Sequence, residues 1–388
     1  MAQKTPNYFM YFPDNYRWSA EMLAILSTIP YGSADIAEAD RCVRALRAHV
    51  GDDEKWFEVW REAGDRLFKS ARANEEQGHK LTAAGTYLRA CAHYQHGEHF
   101  RQPKDDAALT VYRQSLDCFR RYAGLIDRPR IEWVELPFKG GAFPAIFVHA
   151  ENSNAGRNPT IVRFPGFDTQ KELQYLRGIT DITRRGMSVL IVDGPGQGEA
   201  LRLRGLHLHH EYEVAGSAAI DYLETRRDVD KDRIGIVALS LGGYFAPRCA
   251  AYDKRYKACV AWGAIWDYYA TWERRIKALK EASLPVPADH LLWVTGTDTF
   301  EEALTKLEGF RLDGVAQKVE CPFLLTHGTE DAQVPMGDAR KLFDAIGSKD
   351  KTFRVFDAEE GGAQHCQRDY LTLVSTTIAD WLAEKLKA

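Results

Sequence analysis

Residues 234–243 read IGIVALSLGG, an apolar run that leads directly into a serine and then into two glycines. This order is typical of a strand, a tight turn and a helix, in which the turn exposes a nucleophilic serine. Such a turn needs small residues two positions before and two positions after the serine, and here these are Ala238 and Gly242. Alanine stands where glycine is usual, but it is small. The stretch therefore indicates Ser240 as a candidate nucleophile.

Around this turn, strand-like and helix-like segments alternate. Further strands are predicted at 160–164, 187–192, 258–262, 322–326 and 352–356, and helices at 171–185, 210–226, 242–252, 337–346 and 367–386. Two strands at 130–138 and 143–150 form a predicted hairpin across Lys139-Gly140-Gly141. This alternation predicts an α/β fold with a mostly parallel sheet covered by helices on both faces. The aromatic-rich, helical segment 264–315 interrupts it and is expected to be a cap-like insertion over the open end of the sheet.

The residues before this region have a different, helical pattern. Trp56, Trp60, Ala63 and Leu67 recur at the spacing of one face of an amphipathic helix. Other segments before residue 128 also read as helices, and no fixed repeat period is present. The sequence therefore predicts a helical N-terminal domain at 1–128 and a catalytic α/β domain at 129–388.

A serine nucleophile needs a base, and the base needs an acid that orients it. Asp331 follows the predicted strand 322–326, and Glu330 beside it is the alternative acid. His365 lies on a glycine-rich loop after the last predicted strand, and His327 is the competing histidine. The order Ser240, Asp331, His365 is that of the α/β-hydrolases. These three residues are the predicted catalytic triad.

Acyl transfer also needs N–H groups that stabilise an oxyanion. One candidate is the backbone N–H of Leu241, directly after the serine. The other is that of Phe167 in FPGFD, residues 164–168, where Gly166 allows close approach, although this stretch also fits a simple turn. DGPGQGE at 193–199 lacks the Lys-Ser/Thr of a phosphate-binding loop and is interpreted as a rigid turn after a strand.

The composition of the chain argues against two classes of partner, nucleic acids and membranes. The 388 residues carry 51 Lys plus Arg and 55 Asp plus Glu, so the net charge is −4, without the basic excess of a nucleic-acid-binding protein. No apolar run is long enough to span a membrane, and the N-terminus lacks the pattern of a secretory signal. Seven scattered cysteines without a Cys-x-x-Cys pair agree with a cytoplasmic location. The histidines at 207, 209 and 210 are expected to form a polar loop and not a metal site.

The chain is similar to the α/β-hydrolases. The resemblance rests on residues 164–168, 193–198, 238–243, the Asp331 loop and 362–366. With its helical N-terminal part, the chain resembles the group that contains 2,6-dihydroxypseudooxynicotine hydrolase and fungal polyketide-shortening hydrolases. This resemblance implies a Ser–Asp–His triad that cleaves a carbon–carbon bond beside a ketone, a helical domain that helps cover the site, and a possible homodimer.

The resemblance also suggests a glutamate of the cap that assists binding or acts as an acid. Glu273 lies at about the corresponding place, and the alternative is an exposed helix carboxylate paired with Arg274 or Arg275. Aromatic residues from Trp262 to Trp272 suit an aromatic substrate or form the core of the cap.

Three functional hypotheses follow. The first is a serine hydrolase that forms an acyl-enzyme and cleaves a C–C bond next to a ketone in an aromatic or β-diketone-like small molecule. The second is a carboxylesterase that acts on aryl or alkyl esters, because esterases share this architecture. The third is a non-catalytic binding protein on a hydrolase scaffold, which the intact triad disfavours. No metal or organic cofactor is implied, because the triad itself supplies nucleophile, base and acid.

Overall fold

The computed structural model describes residues 10–152, 156–278 and 286–388. The chain divides into two compact units, Met1–Asp127 with Leu279–His290, and Arg128–Ala278 with Leu291–Ala388. The first break lies beside the boundary predicted at residue 128, but the first unit also includes part of the predicted insertion 264–315. The assignment of 1–128 and 129–388 as separate domains remains a prediction, and residues 1–9 and 279–285 within these ranges lie outside the described residues.

The first unit is helical. Its helices are α1 (Tyr16–Ser27), α2 (Ile36–Leu46), α3 (Asp53–Glu76), α4 (Lys80–Glu98) and α5 (Asp106–Leu125), with 3-10 turns at Ile29–Tyr31 and Arg47–His49. Trp18, Trp56 and Trp60 are fully buried. Their rings follow one another at centroid distances of 4.9 Å and 5.6 Å. The apolar face predicted for residues 56–67 therefore contributes its two tryptophans to an aromatic core.

Two glycines allow α3 and α4 to approach closely. A Cβ added at Gly97 would lie 2.8 Å from the Cβ of Trp60, and one added at Gly64 would lie 2.6 Å from Cε1 of Tyr94. Real side chains do not pack at such distances, so each glycine accommodates a large residue of the facing helix. Gly85, also in α4, differs because its nearest neighbour would be a flexible arginine tip at 3.8 Å.

The second unit contains an eight-stranded sheet in the order β1-β2-β4-β3-β5-β6-β7-β8. The strands are β1 (Ile131–Phe138), β2 (Gly141–Val148), β3 (Asn158–Phe164), β4 (Ser188–Val192), β5 (Val229–Leu239), β6 (Ala258–Trp262), β7 (Phe323–Gly328) and β8 (Lys351–Phe356). β1 pairs with β2, and β2 with β4, in antiparallel fashion, while the remaining neighbours are parallel. The α/β fold with a mostly parallel sheet and an N-terminal hairpin is confirmed.

Helices lie between these strands and after the last one. They are α6 (Lys171–Tyr175), α7 (Ile179–Thr183), α8 (Gly198–Arg204), α9 (Glu213–Thr225), α10 (Gly242–Tyr252), α11 (Tyr268–Ala278), α12 (Ala288–Thr295), α13 (Phe300–Leu307), α14 (Met336–Ala345) and α15 (Leu371–Leu386), with 3-10 turns at Ala316–Lys318 and His365–Tyr370. The helix predicted at 171–185 is interrupted, because Gly178 has a left-handed φ of 78°. α11, α12 and α13 form the helical insertion between β6 and β7.

We expect Gly97→Ala to lower the free energy of unfolding by about 1–3 kcal/mol, because the new methyl group overpacks the contact with Trp60. Gly85→Ala on the same helix is the matched control and should leave stability unchanged or raise it by up to about 1 kcal/mol, since alanine favours a helix. Urea unfolding followed by circular dichroism measures both. Equal stability of the two variants would contradict the close approach of α3 and α4.

Candidate active site

Ser240 lies in the turn between β5 and α10. Its φ is 61°, a left-handed conformation that is unusual for a residue with a side chain. The Ser240 N–H donates a hydrogen bond of 2.8 Å to the Trp262 carbonyl at the end of β6. The sharp turn predicted from residues 234–243 is thus present, and Ser240 is partly exposed at its apex.

Small residues make this turn possible. A Cβ added at Gly242 would lie 2.5 Å from the Cβ of Ala238, and one added at Gly243 would lie 2.3 Å from the Gly263 carbonyl oxygen. The space that glycine usually leaves before the serine is partly filled by the methyl group of Ala238. Because the Ala238 methyl group occupies this space, position 242 can hold only glycine. The turn therefore accommodates alanine at position 238, where glycine is usual.

Three residues from the loops that follow three strands form a hydrogen-bonded chain. Ser240 Oγ lies 2.8 Å from His365 Nε2, and His365 Nδ1 lies 2.8 Å from Asp331 Oδ2. The side chains of His365 and Asp331 are only 4% and 1% exposed. This is the arrangement that the proton transfers of a serine nucleophile require.

The two competing residues have other partners. Glu330 accepts a hydrogen bond of 3.1 Å from the side-chain amide of Gln364. His327 is buried, its Nε2 lies 3.0 Å from the Val334 carbonyl oxygen, and it is 3.9 Å from the Asp331 carboxylate. The geometry therefore favours Asp331 over Glu330 and His365 over His327.

The Asp331 carboxylate is fixed from both sides. Its Oδ1 accepts hydrogen bonds from the backbone N–H groups of Gln333 and Val334, at 2.8 Å and 2.9 Å.

Burial raises the pKa of Asp331, but the charge and hydrogen bond of His365 outweigh burial and hold this pKa below its ordinary value. Burial likewise lowers the pKa of His365, but the Asp331 carboxylate reverses this effect and raises the His365 pKa to about 9.

The loop that carries His365 is strained, and sequence reasoning missed what holds it. Cys366 and Gln367 have left-handed φ angles of 52° and 50°. Trp262 Nε1 donates a hydrogen bond of 3.1 Å to the Cys366 carbonyl. The Asp369 carboxylate accepts backbone N–H groups of residues 362, 363 and 364 at 2.8–3.0 Å. The Trp262 bond joins distant parts of the chain, whereas the Asp369 bonds are local and their sequence signal is an aspartate shortly after a glycine-rich loop.

The two predicted oxyanion donors belong to segments next to Ser240. Leu241 follows the serine directly and precedes the first residue of α10. A Cβ added at Gly166 would lie 3.1 Å from the Cβ of Ser240, so the loop 164–168 also runs against the serine. The Phe167 ring packs on Trp272 and Tyr268 at centroid distances of 5.5 Å and 6.1 Å. Oxyanion stabilisation by Leu241 and Phe167 remains a prediction.

Glu273 is placed differently from a buried catalytic acid. Its side chain is 42% exposed and pairs with Lys277 at 3.2 Å along α11. The suggested partners were Arg274 and Arg275, but Arg274 pairs with Asp338 at 3.1 Å. A catalytic role for Glu273 remains a prediction, and no hydrogen bond within the described residues joins it to the Ser240–His365–Asp331 chain.

The histidines at 207–210 have structural contacts. His207 Nδ1 lies 3.1 Å from the Trp293 carbonyl oxygen, and the rings of His209 and His210 stack at 4.7 Å. Among the residues that the structure describes, no three His, Cys, Asp or Glu side chains are arranged to hold a metal ion. Within the same residues, no helix is long and apolar enough to cross a membrane.

The sheet and the strand-to-helix serine turn define an α/β-hydrolase. Residues 168–388, more than half of the chain, match the profile of the prolyl oligopeptidase family. The chain therefore belongs to that family of α/β-hydrolase enzymes.

Several relatives are hydrolases that match over nearly their whole length. Hydrolase LUC6 of Fusarium sp is 29% identical over 96% of this chain and 97% of its own. The 20-hydroxy-prefusarin hydrolase FUS2 of Gibberella moniliformis is 26% identical over 93% and 94%. The solved structure of 2,6-dihydroxy-pseudo-oxynicotine hydrolase superposes with a TM-score of 0.79 at 23% identity, covering 93% of this chain and 95% of that one. The resemblance seen in the sequence is confirmed.

We expect Gly242→Ala to destabilise the protein by about 1–3 kcal/mol, because its methyl group collides with that of Ala238. Ala238→Gly alone should cost about 0.5–1 kcal/mol, the usual effect of glycine in a strand. The double variant should recover most of the loss from Gly242→Ala, since removing the Ala238 methyl group creates the space. A double-mutant cycle of unfolding free energies measures the coupling, and strictly additive effects would show that the two residues do not compete for the same space.

Proposed function

We propose that the protein is a serine hydrolase in which Ser240 attacks a carbonyl carbon and forms an acyl-enzyme. The observation that carries this proposal is the pair of 2.8 Å contacts that link Ser240, His365 and Asp331. In this proposal His365 Nε2 accepts the proton of the Ser240 hydroxyl, and the Asp331 carboxylate orients the ring and stabilises its charged form.

The proposed reaction has two stages. The serine oxygen adds to the carbonyl carbon, and the negative oxygen of the tetrahedral intermediate accepts hydrogen bonds from the Leu241 and Phe167 N–H groups. The intermediate collapses, the bond to the leaving group breaks, and the protonated His365 returns its proton to that group. A water molecule then adds to the acyl-enzyme while His365 takes its proton. The bond between the acyl carbon and Ser240 Oγ breaks, His365 returns the proton to that oxygen, and the carboxylic acid is released.

The leaving group that we propose is a carbon, from a C–C bond next to a ketone. A carbanion can leave only when its charge is delocalised, so the substrate class is a β-diketone or an electron-rich aryl ketone. Support comes from the near full-length similarity to FUS2 and from the fold shared with 2,6-dihydroxy-pseudo-oxynicotine hydrolase. The aromatic group of Phe167, Tyr268 and Trp272 beside the proposed oxyanion loop is compatible with an aromatic substrate, although Tyr268 and Trp272 are themselves buried.

A carboxylesterase is the second candidate, and the position of Glu273 favours it. An alkoxide leaves more easily than a carbanion and needs no further acid at carbon. The Glu273 carboxylate, the predicted acid, is half-exposed and paired with Lys277. Ester hydrolysis therefore requires only the nucleophile, its base and acid, and the oxyanion donors. The first three are Ser240, His365 and Asp331.

Hydrolysis of a matched aryl ester and aryl β-diketone of similar size separates these candidates. We expect turnover of the diketone by the wild type and its loss in Ser240→Ala, because the acyl-enzyme cannot form without the hydroxyl. Turnover of the ester alone would favour the esterase. Labelling of the wild type by a fluorophosphonate, with Ser240→Ala as control, tests the nucleophile independently of substrate, and an unlabelled wild type would contradict the serine hydrolase proposal.

The rate of this labelling should depend on pH through His365. Below its pKa the imidazole is already protonated and cannot accept the serine proton, so the rate should rise with pH, with a midpoint above 6.5 and near the raised value of about 9. Asp331→Asn removes the charge that raises this pKa, so the midpoint should move down. The plateau should fall on the order of 10⁴-fold, as in another Ser–His–Asp enzyme. An unchanged midpoint would contradict control of His365 by Asp331.

A further inference from the structure

Gln197 lies in the turn DGPGQGE at 193–199, which the proposed reaction leaves without a role. It is the residue immediately before α8 and is completely buried, with 0% of its surface exposed. A buried primary amide has two N–H donors and two acceptor positions, and each is costly to leave without a partner. The partners of this side chain therefore indicate what it holds in place.

The Gln197 amide joins its own turn, 193–199, to the loop 164–168. Its Nε2 donates hydrogen bonds to the carbonyl oxygens of Pro165 and Gly166, at 2.8 Å and 2.7 Å. Its Oε1 accepts hydrogen bonds from the Gly194 N–H, at 3.1 Å, and from the Tyr212 hydroxyl. Carbonyl oxygens can only accept and a backbone N–H can only donate, so this orientation of the amide is the only one that satisfies these partners.

The Gly166 carbonyl belongs to the same peptide unit as the Phe167 N–H. A trans peptide is planar and rigid, and its C=O and N–H point in opposite directions. Holding the Gly166 oxygen against Gln197 therefore aims the Phe167 N–H away from Gln197. The second bond, to Pro165, fixes the preceding peptide, whose Gly166 N–H donates to Thr169 Oγ1 at 3.2 Å. The loop is thus constrained on both peptides that precede the proposed oxyanion donor.

Gln197 is itself held rigidly. Tyr212 is buried, and its ring stacks on Phe245 of α10 at a centroid distance of 3.6 Å. The glycines on either side permit close approach of the turn, since an added Cβ at Gly196 would lie 2.8 Å from Leu208 and one at Gly198 would lie 2.2 Å from the Asp193 carboxylate. The turn therefore presents a fixed amide to the loop 164–168 and not a mobile side chain.

We propose that Gln197 is the positioning residue of the oxyanion hole, acting through the Gly166–Phe167 peptide. This inference rests on the proposed serine hydrolase function. It assigns Gln197 no contact with substrate. Its effect should consequently fall on the step in which charge develops on oxygen, and not on the binding that precedes it.

The test is the inactivation kinetics of a fluorophosphonate probe, because negative charge develops on the phosphonyl oxygen as Ser240 attacks phosphorus and displaces fluoride. Gln197→Met keeps the side-chain volume but removes both donors. We expect the maximal inactivation rate to fall about 10- to 100-fold, while the probe concentration at half-maximal rate changes less than about threefold. The fall is smaller than the roughly 100- to 1,000-fold cost of removing an oxyanion donor, because the variant displaces the Phe167 N–H and does not delete it. Gln174→Met is the matched control, since Gln174 is another buried glutamine and accepts a hydrogen bond from Arg163 at 3.3 Å.

Gln174→Met should keep the wild-type inactivation rate within about threefold, because its amide bonds neither the loop 164–168 nor the triad. Gln197→Glu provides a second variant if Gln197→Met lacks a cooperative thermal transition, because it keeps the shape but turns an acceptor toward two carbonyl oxygens. A folded variant of Gln197 that inactivates at the wild-type maximal rate would overturn the inference. An unlabelled wild type would instead overturn the proposed function, and the inference with it.

Discussion

Ser240 carries a side chain at a φ of 61°, and such a conformation persists only where surrounding contacts outweigh its strain. The contacts that hold Ser240 come from the neighbouring strand β6 and from small residues of its own turn. The Ser240 N–H is bonded to the end of β6, and the neighbouring positions 238, 242 and 243 are small because the turn leaves no room for larger side chains. The result of this constraint is a hydroxyl that lies beyond the strand, within hydrogen-bond distance of His365.

The other loops of the site are fixed by polar side chains that are buried or half-buried. Asp331 is held by two backbone N–H groups of its own turn, and Asp369 holds the loop before His365 through three. Gln197 does the equivalent for the loop 164–168 through two carbonyls. Carboxylates and amides that satisfy backbone groups fix loop geometry more firmly than apolar packing can, because each hydrogen bond has a direction. The candidate site is therefore preorganised by residues that do not belong to the triad.

The sheet could be predicted from sequence because buried parallel strands read as short apolar runs between helices. Ser240, Asp331 and His365 could be singled out because each follows such a strand, and parallel strands bring their carboxyl ends to one edge of the sheet. The predictions at 171–185 and 193–199 are less accurate. Gly178 breaks one helix by its backbone conformation, and α8 begins within a stretch interpreted only as a turn.

Contacts between distant segments of the chain could not be predicted from the sequence. Nothing local links Gln197 to residues 165 and 166, or Trp262 to the loop after His365. Glu273 is a different case, because its pairing with Lys277 is a local contact between residues four apart on α11, a spacing that the sequence itself offers. When the partners of a side chain lie on a loop that is distant in sequence, a single sequence does not reveal its role, even where the residue type is informative.

The central claim is that Ser240 is the nucleophile, and peptide mapping of a trapped acyl-enzyme tests it most directly. The protein is mixed with an activated aryl ester, quenched in acid within the first turnover, digested, and examined by tandem mass spectrometry. The account predicts an acyl group on Ser240 and no adduct in Ser240→Ala. An acyl group carried by another residue, or equal acylation of the Ser240→Ala variant, would contradict it.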